Sequence, residues 1–382
     1  MSLRARTPKV NQRLSLEMPI RGLSWTGVRF SAPPPHAVRC VPVVRASDRY
    51  AVGRPFFICG ESGMRFVMFG GVRFVVDTFQ QTCASVGRDR EMEVQGRRAN
   101  AGKVALVLEG GSYRCQFTAG VLDVLLEHNV GFDACFGVSA GALGGMNYKS
   151  RQIGRCNRVN LAYCNDSRYM GGKALAQTGS IVGYDFMLND VQDRIDPFDN
   201  EAFDQNPMKL YAVATDIVFG TAAYLPVENA VLDIDAVRAS TSLPLVTTPV
   251  EIDGNLYLDG GVADSVPVEH VLEDEGYGRA VVVLSQDRSY VKGPYDLMGP
   301  ARARYGAYPY LLEALENRHE RYNEQRAHIW AYEEEGRALV VVPPTPVTVG
   351  HIEHDATKLL DLYIQGRQEG ARLLDDIERF VR

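Results

Sequence analysis

Ser139 lies between Gly137 and Gly141 in the stretch ACFGVSAGALGG, and this G-x-S-x-G spacing is typical of nucleophilic serines. The pattern predicts a nucleophile elbow, in which a buried strand ends in a sharp turn and a helix departs. Glycine is needed two residues before and after the serine because side chains there would collide with the strand and the helix. A serine hydroxyl held in such a strained turn is exposed for attack on a carbonyl carbon.

The segment EGGSYR, residues 109–114, follows an apolar run and opens a helix. Its backbone N–H groups at Gly110, Gly111 and Ser112 would face a developing negative charge, as an oxyanion hole requires, and the helix dipole would add to the field. A plain strand-to-helix turn and a phosphate-binding loop are the alternatives. We discount a dinucleotide fingerprint, because Ser112 and Cys115 stand where its second and third glycines are needed.

Asp259 ends a predicted hairpin strand in the segment LDGG and is followed by Gly260 and Gly261. A carboxylate at this position would take the proton of Ser139 directly. The alternative is a turn aspartate that accepts backbone hydrogen bonds, and the spacing alone favours that alternative.

No histidine lies in a motif that would complete a catalytic triad, and His270 and His351 are kept as alternative bases for a Ser-His-Asp site. His351 and His354 have H-x-x-H spacing, but no third metal ligand is nearby, so we expect a structural or surface role. Cys115 has no partnering histidine motif and is not a predicted nucleophile. We therefore predict no metal site and no organic cofactor.

These candidate residues stand at the ends of predicted strands. KVALVLEGG and RAVVVLSQ are continuous apolar runs, as in buried parallel strands, whereas PVEIDGNLYLDGG predicts a hairpin with its turn at Asp253-Gly254. Further strands are predicted in FDACFGV, KLYAVATDI, GTAAYLPV and ALVVVP, and helices in SYRCQFTAGVLDVLLEHN, PYLLEALENRHERYNEQRAHIWAYEEEG and DATKLLDLYIQGRQEGARLLDDIERFV. The β-α-β-α order predicts a parallel sheet with helices on both faces.

The distribution of charge divides the 382 residues into two parts. Residues 1–100 carry 16 basic and 7 acidic side chains, whereas residues 101–382 carry 25 and 40. The first part has no sustained helical or strand period, so we predict a basic, disordered extension, with Met92 as an alternative start and an organellar transit peptide as a lesser alternative. Residues 101–382 are predicted to form one domain.

Composition also limits the partners and the location of the protein. The acidic second part argues against nucleic acid as a partner. The seven cysteines form no C-x-x-C pair, which favours free thiols in a reducing compartment, and we expect a cytoplasmic protein. No apolar run is long enough to be a transmembrane segment, so membrane contact is expected to be peripheral and to use apolar surface.

Several ordered segments carry a family resemblance: LVLEGGSYR, FDACFGVSAGA, VATD, RASTSLPL and YLDGGVADSVPVEHVL. Together they resemble the bacterial patatin-like phospholipase family. The resemblance runs from about Lys103 to the C terminus, with the motif-bearing core at about 103–272. It implies an α/β fold, a three-layer sandwich with a mainly parallel central sheet, and cleavage of lipid or other acyl esters through an acyl-enzyme intermediate.

The resemblance also implies roles for single residues. Ser139 is the nucleophile, Asp259 is the base that activates it, and Gly110, Gly111 and Ser112 form the oxyanion loop. Arg114 is retained from the family motif and is expected to support this loop through hydrogen bonds, with a solvated charge as the alternative. Gly137, Gly141, Gly260 and Gly261 are the glycines of the two other motifs. The family loop reads G-G-G-x-R-G, so Ser112 and Cys115 replace two of its glycines. A catalytically weak lipid- or acyl-binding protein is therefore kept as an alternative.

Overall fold

The computed structural model of the protein describes residues 99–382 and the backbone of three short strands before them. These strands, β1 (Phe56–Cys59), β2 (Arg65–Phe69) and β3 (Val72–Val76), form an antiparallel sheet in the order β1-β2-β3. They fall within the part predicted to be an extension. The other residues of 1–98, including the alternative start at Met92, lie outside the described residues, so that prediction stays a prediction.

A separate mixed sheet of eight strands forms the centre of the described region 99–382. Its strands are β4 (Val104–Leu108), β5 (Ala134–Val138), β6 (Lys209–Asp216), β7 (Ala222–Pro226), β8 (Val250–Ile252), β9 (Asn255–Asp259), β10 (Arg279–Val283) and β11 (Ala338–Val341). Continuous apolar runs form the fully buried strands β4 and β5, as their composition predicts.

The strand order is β11-β10-β4-β5-β6-β9-β8, with β7 also paired to β6. The five strands from β11 to β6 are parallel, whereas every pair that involves β7, β8 or β9 is antiparallel. The hairpin turn between β8 and β9 falls at Asp253 and Gly254, which both have positive φ angles, 51° and 79°. The predicted mainly parallel α/β sheet is therefore confirmed.

Ten α-helices flank this sheet in the described region. They are α1 (Gln116–Glu127), α2 (Ala140–Lys149), α3 (Arg155–Tyr163), α4 (Gly172–Thr178), α5 (Asn200–Gln205), α6 (Ile234–Ser240), α7 (Met298–Tyr305), α8 (Pro309–Glu316), α9 (Arg318–Glu334) and α10 (Ala356–Val381). Helical segments of 3₁₀ type cover Ser112–Cys115 and Gly260–Val262, and segments of π type cover Asp185–Ile195 and His270–Asp274. The charged stretch 309–336, predicted as helical, is divided into α8 and α9 at Asn317, and α9 ends at Glu334.

Alternating side chains of β4 fill two cores, one on each face of the sheet. Leu106 and Leu108 pack in the core that holds α1 and α10, whereas Ala105 and Val107 pack in the core that holds Tyr322 of α9. The alternation follows from the two-residue period of a strand. Helices on both faces make the three-layer sandwich that the resemblance implies.

Helices α1 and α10 pack backbone against backbone. A Cβ added at Gly120 of α1 would lie 2.1 Å from the carbonyl oxygen of Tyr363, and one added at Gly366 of α10 would lie 2.0 Å from that of Phe117. Tyr363 also donates a 2.7 Å hydrogen bond to Asp123 of α1. Because α1 follows the 109–115 loop, this contact fixes the C-terminal helix behind the predicted oxyanion loop.

None of the helices in the described part of the chain is both long enough and apolar enough to cross a membrane.

Candidate active site

Ser139 lies in the turn between β5 and α2, where its φ and ψ angles are 56° and −125°. An L-residue rarely adopts this conformation, and it costs about 1–3 kcal/mol. The Ser139 N–H donates a 2.9 Å hydrogen bond to Ser240 Oγ, which in turn donates to the carbonyl oxygen of Val213 at 2.6 Å. The turn is thereby anchored to α6 and β6.

Gly137 and Gly141 permit the close approaches that this turn requires. A Cβ at Gly137 would lie 2.6 Å from Ala142 Cα, and one at Gly141 would lie 2.5 Å from the carbonyl oxygen of Leu108. Contacts this short are not available to a side chain, so both positions demand glycine. Their spacing around Ser139 is explained by the packing of α2 on β4 and β5.

Strand β6 brings Asp259 to the same end of the sheet as Ser139. Val213 of β6 pairs with Val138, the residue before Ser139, and the next residue, Ala214, pairs with Asp259 of β9. Asp259 and Ser139 are only 2% and 7% exposed, and both line one small polar cavity with a volume of about 30 Å³. The structure thus unites two residues 120 positions apart in the sequence.

The Asp259 carboxylate accepts a 2.8 Å hydrogen bond from the Gly261 N–H through Oδ1. Its buried Oδ2 has no hydrogen-bond partner of good geometry among the described residues. Burial raises the pKa of Asp259 above its usual value, although the nearby Ser139 hydroxyl, Arg318, the Gly261 N–H and Lys292 act in the opposite direction. A carboxylate with an unengaged oxygen and a raised pKa is suited to accept a proton.

The loop Gly110–Ser112 lines the same cavity. Gly110 O accepts a 2.8 Å hydrogen bond from Ser285 Oγ, and Gly111 O accepts one of 3.3 Å from Arg114 Nε. In a trans peptide the C=O and the following N–H point in opposite directions, so the N–H groups of Gly111 and Ser112 point away from these partners. Neither N–H has a protein acceptor in the described part of the chain.

Ser112 occupies the third loop position with a φ of 51°. The left-handed region favours glycine, so the serine is strained there, yet its N–H is retained. Arg114 Nε donates to the loop carbonyl of Gly111. Cys115 is buried and donates through Sγ to Glu109 O at 3.5 Å, and burial raises the pKa of its thiol.

Ser112→Gly should raise the free energy of unfolding by about 0.5–1 kcal/mol, because relief of the left-handed serine exceeds the added chain entropy of glycine. Ester turnover should change less than about threefold, since the backbone N–H is already present. Thermal unfolding and ester kinetics measure both quantities. Asn129→Gly is the matched control, because Asn129 has a φ of 56° and is exposed on the turn after α1. A turnover gain of more than about tenfold in Ser112→Gly alone would favour the catalytically weak alternative.

Of the two alternative histidine bases, His351 lines the cavity of Ser139 and His270 does not. His270 stacks on Tyr224 with ring centroids 3.4 Å apart and lies outside the cavity of Ser139. His351 lines that cavity, but its Nε2 accepts from the Arg114 guanidinium at 3.1 Å. Desolvation of the imidazole is the main cause that lowers the pKa of His351 to about 4, and the positive charges of Arg114, Arg318 and Lys292 add to it. At this pKa His351 is a weak base. His354 instead contacts the carbonyl oxygen of Cys164.

A second, mainly apolar cavity with a volume of about 110 Å³ adjoins the first. Ser112 lines both cavities, and Ala140, the residue after Ser139, lines the second. Its apolar walls come from α2 and from the segments around residues 170 and 185–195, through Leu143, Met170, Met187, Leu188 and Val191. An apolar chain bound there would begin beside Ser139.

A family model described as patatin-like phospholipase matches residues 106–272, the span that contains the loop, Ser139 and Asp259. This chain carries a patatin-like phospholipase domain. A second family model, a domain of unknown function called DUF6363, matches residues 308–382.

Curated relatives share the patatin-like region. The uncharacterized protein YjjU of Escherichia coli is 29% identical over 173 residues, which cover 44% of this chain and 48% of that protein. The uncharacterized NTE family protein Rv1063c of Mycobacterium tuberculosis is 30% identical and covers 45% and 46%. Lysophospholipase NTE1 of Debaryomyces hansenii is 28% identical over 170 residues, 43% of this chain and 11% of that protein. The matches to the two bacterial proteins span about half of their length.

Two solved structures are also similar to this chain. VipD from Legionella pneumophila matches with a TM-score of 0.38 and 11% identity, over 87% of this chain and 72% of that one. The ExoU–SpcU complex of Pseudomonas aeruginosa matches with a TM-score of 0.33 and 13% identity, over 91% and 62%.

Several residues that line the cavity lie beyond the patatin-like phospholipase domain and were missed from sequence. Tyr322 of α9 donates a 2.7 Å hydrogen bond to Glu109 Oε1, and Arg318 of α9 donates through Nε to the carbonyl oxygen of Gly261. Lys292 lines the cavity too. The four-residue spacing of Arg318, Tyr322 and Arg326, which lie on one face of α9, was the available signal.

Proposed function

We propose that this protein is a lipid acyl hydrolase in which Ser139 is the nucleophile and Asp259 its base. The observation that carries the proposal is the pairing of a serine in a strained strand-to-helix turn with a buried carboxylate of raised pKa in one cavity. The patatin-like phospholipase domain supports the reaction class, as does the relative named lysophospholipase.

The reaction begins when Ser139 Oγ attacks the ester carbonyl carbon and its proton passes to the Asp259 carboxylate. The tetrahedral intermediate collapses, and the proton moves from Asp259 to the departing alkoxide while the acyl group stays on Ser139. Water then attacks the acyl-enzyme and gives its proton to Asp259. The second collapse releases the carboxylic acid and returns the proton to Ser139.

The negative oxygen of each tetrahedral intermediate is stabilised by the loop Gly110–Ser112. Support comes from the N–H groups of Gly111 and Ser112, which lack protein acceptors among the described residues, while the carbonyls of Gly110 and Gly111 are engaged elsewhere. One such donor is worth about 10²–10³-fold in rate. The Gly110 position is also close-packed, because a Cβ there would lie 2.8 Å from Ser139 Cβ.

The acyl chain occupies the apolar cavity that adjoins Ser139, and the enzyme meets its lipid at a membrane surface without spanning it. Val291, which is 73% exposed, follows Tyr290 at the edge of the polar cavity and offers an apolar contact for such a surface. The free thiols of Cys115, Cys135, Cys156 and Cys164 are in keeping with a cytoplasmic, reducing environment.

The full-length protein should hydrolyse short-chain p-nitrophenyl esters and a medium-chain phospholipid in mixed micelles. A fluorophosphonate probe should give one covalent adduct, located on Ser139 by peptide mass spectrometry, because such probes report an activated serine. Absence of turnover across a range of chain lengths, together with absence of an adduct, would instead support the lipid-binding alternative.

A further inference from the structure

Three cations meet at the cavity of Ser139 and Asp259, although residues 101–382 are strongly acidic overall. Arg114 follows the oxyanion loop, Lys292 lies in the segment after β10, and Arg318 is the first residue of α9. The three residues come from separate parts of the chain, so the fold itself gathers positive charge at this place.

The protein pairs none of these cations directly with a carboxylate, although Glu109 and Asp259 line the same cavity. No carboxylate in the described region lies within ion-pair distance of any of the three cations. Arg114 donates to Gly111 O and His351 Nε2, and Arg318 donates to Gly261 O, so the acceptors of these hydrogen bonds are neutral. Lys292 Nζ lies 3.9 Å from the centre of the Tyr322 ring.

The two carboxylates that line the cavity, Glu109 and Asp259, interact with groups other than these cations. Glu109 accepts hydrogen bonds from the Tyr322 hydroxyl and from the Ser285 N–H, both at 2.7 Å. Asp259 stands beside Ser139 and accepts from Gly261. Burial, followed by the positive charge of Arg318, lowers the pKa of Lys292 to about 7. The charge of Arg114 also lowers this pKa, whereas the carboxylates of Glu109 and Asp259 raise it. A bound anion would relieve the repulsion among the cations.

We infer that Arg114, Lys292 and Arg318 form a subsite for the phosphate group of an anionic lipid ester whose carbonyl is attacked by Ser139. Guanidinium groups bind phosphate through paired hydrogen bonds, and a lysine adds a point charge. This inference rests on the proposed hydrolase function and specifies its substrate. The subsite favours a headgroup that is anionic overall, because the acidic side chains lining the cavity are Glu109, whose two oxygens accept hydrogen bonds, and Asp259, which is the proposed base.

The decisive experiment compares 1-decanoylglycerol with its 3-phosphate, in mixed micelles at equal surface fraction, because the two substrates differ only in the phosphate. Wild-type protein should hydrolyse the phosphate ester with a kcat/KM at least about tenfold higher, mainly through a lower KM. Lys292→Gln and Arg318→Gln should each reduce this ratio about fivefold or more, and the double variant should abolish it.

Lys173→Gln and Arg372→Gln are the matched controls, because both residues are exposed and neither lines the cavity of Ser139. These controls should keep the wild-type substrate ratio. Equal hydrolysis of both substrates by the wild type, or an unchanged ratio in the double variant, would overturn the inference. The ratio should also fall as the pH rises through about 7, where Lys292 loses its proton.

Inorganic phosphate separates the subsite from the hydrolase reaction. Calorimetric titration should detect phosphate binding to the wild type and its loss in the double variant, even if no ester is hydrolysed, and that result would support the subsite while rejecting the proposed function. Phosphate binding without any preference for the phosphate ester would identify a site for free anions and overturn the headgroup role. Absence of both phosphate binding and substrate preference would reject the subsite.

Discussion

Replacing Ser139 with alanine should lower ester turnover by about 10⁴-fold or more, because the attacking oxygen is removed and no acyl-enzyme forms. The variant keeps the Cβ atom that packs beside Gly110 and the N–H that donates to Ser240. The fold and the substrate cavities should therefore persist. Initial-rate kinetics, thermal unfolding and fluorophosphonate labelling measure the three consequences.

Ser167→Ala provides the control for Ser139→Ala, because Ser167 is exposed and lies outside the cavity. It should keep both turnover and the single fluorophosphonate adduct. If Ser139→Ala retained turnover within about tenfold of the wild type at an unchanged melting temperature, another residue would have to be the nucleophile.

Asp259→Asn should lower turnover by about 10³-fold or more and, at neutral pH, make the protein more stable. The amide cannot accept the Ser139 proton, but its oxygen can still accept from the Gly261 N–H. Stability should rise because the native protein holds the charged carboxylate away from water, and the amide removes that cost. Opposite changes in rate and in melting temperature would identify Asp259 as a functional group kept at the expense of stability.

Ester turnover and the contribution of Asp259 to stability should change with pH in opposite directions. Since the pKa of Asp259 is raised in the native state, native protein takes up the proton at a higher pH than unfolded protein does. Wild-type turnover should fall as the pH drops through this raised pKa, whereas the contribution of Asp259 to stability should become more favourable. Asp361→Asn, an exposed change on α10, should show the wild-type pH profile. An Asp259→Asn protein with an unshifted rate profile would contradict the assignment of the base.

Local patterns were sufficient to locate the central elements. The stretches KVALVLEGG and FDACFGVSAGALGG contain both their strands and the turns that follow, because burial and close packing impose glycine and apolar residues at neighbouring positions. The Asp253-Gly254 dipeptide likewise predicted the hairpin that delivers Asp259. The spacing alone favoured a turn role for Asp259, and the resemblance assigned it to Ser139, since the pairing of β6 with both β5 and β9 has no local signature.

Contacts across long stretches of chain were not predictable in this way. Tyr322 reaches Glu109 over 213 positions, and the charged sequence of α9 does not indicate a buried face. Yet Tyr322 and Arg326 are 1% and 3% exposed. Because charged residues are frequent in α9, its sequence has no clear apolar stripe that would mark the buried face. The sequence also gives no indication of which element packs against that face.

The contact between α1 and α10 at Gly120 and Gly366 restricts how the C-terminal part of proteins with this domain can be exchanged. The proposed dyad of Ser139 and Asp259 lies within 106–272, whereas Lys292 and Arg318 of the proposed phosphate subsite are contributed by later segments. If both proposals hold, recombination of the C-terminal part between relatives would alter headgroup preference and leave Ser139 and Asp259 unchanged. Such exchanges are restricted to partners that keep small residues where Gly120 and Gly366 meet, because a larger side chain would push α10 off α1. The contact between α1 and α10 therefore limits which C-terminal segments can replace this one beside the patatin-like phospholipase domain.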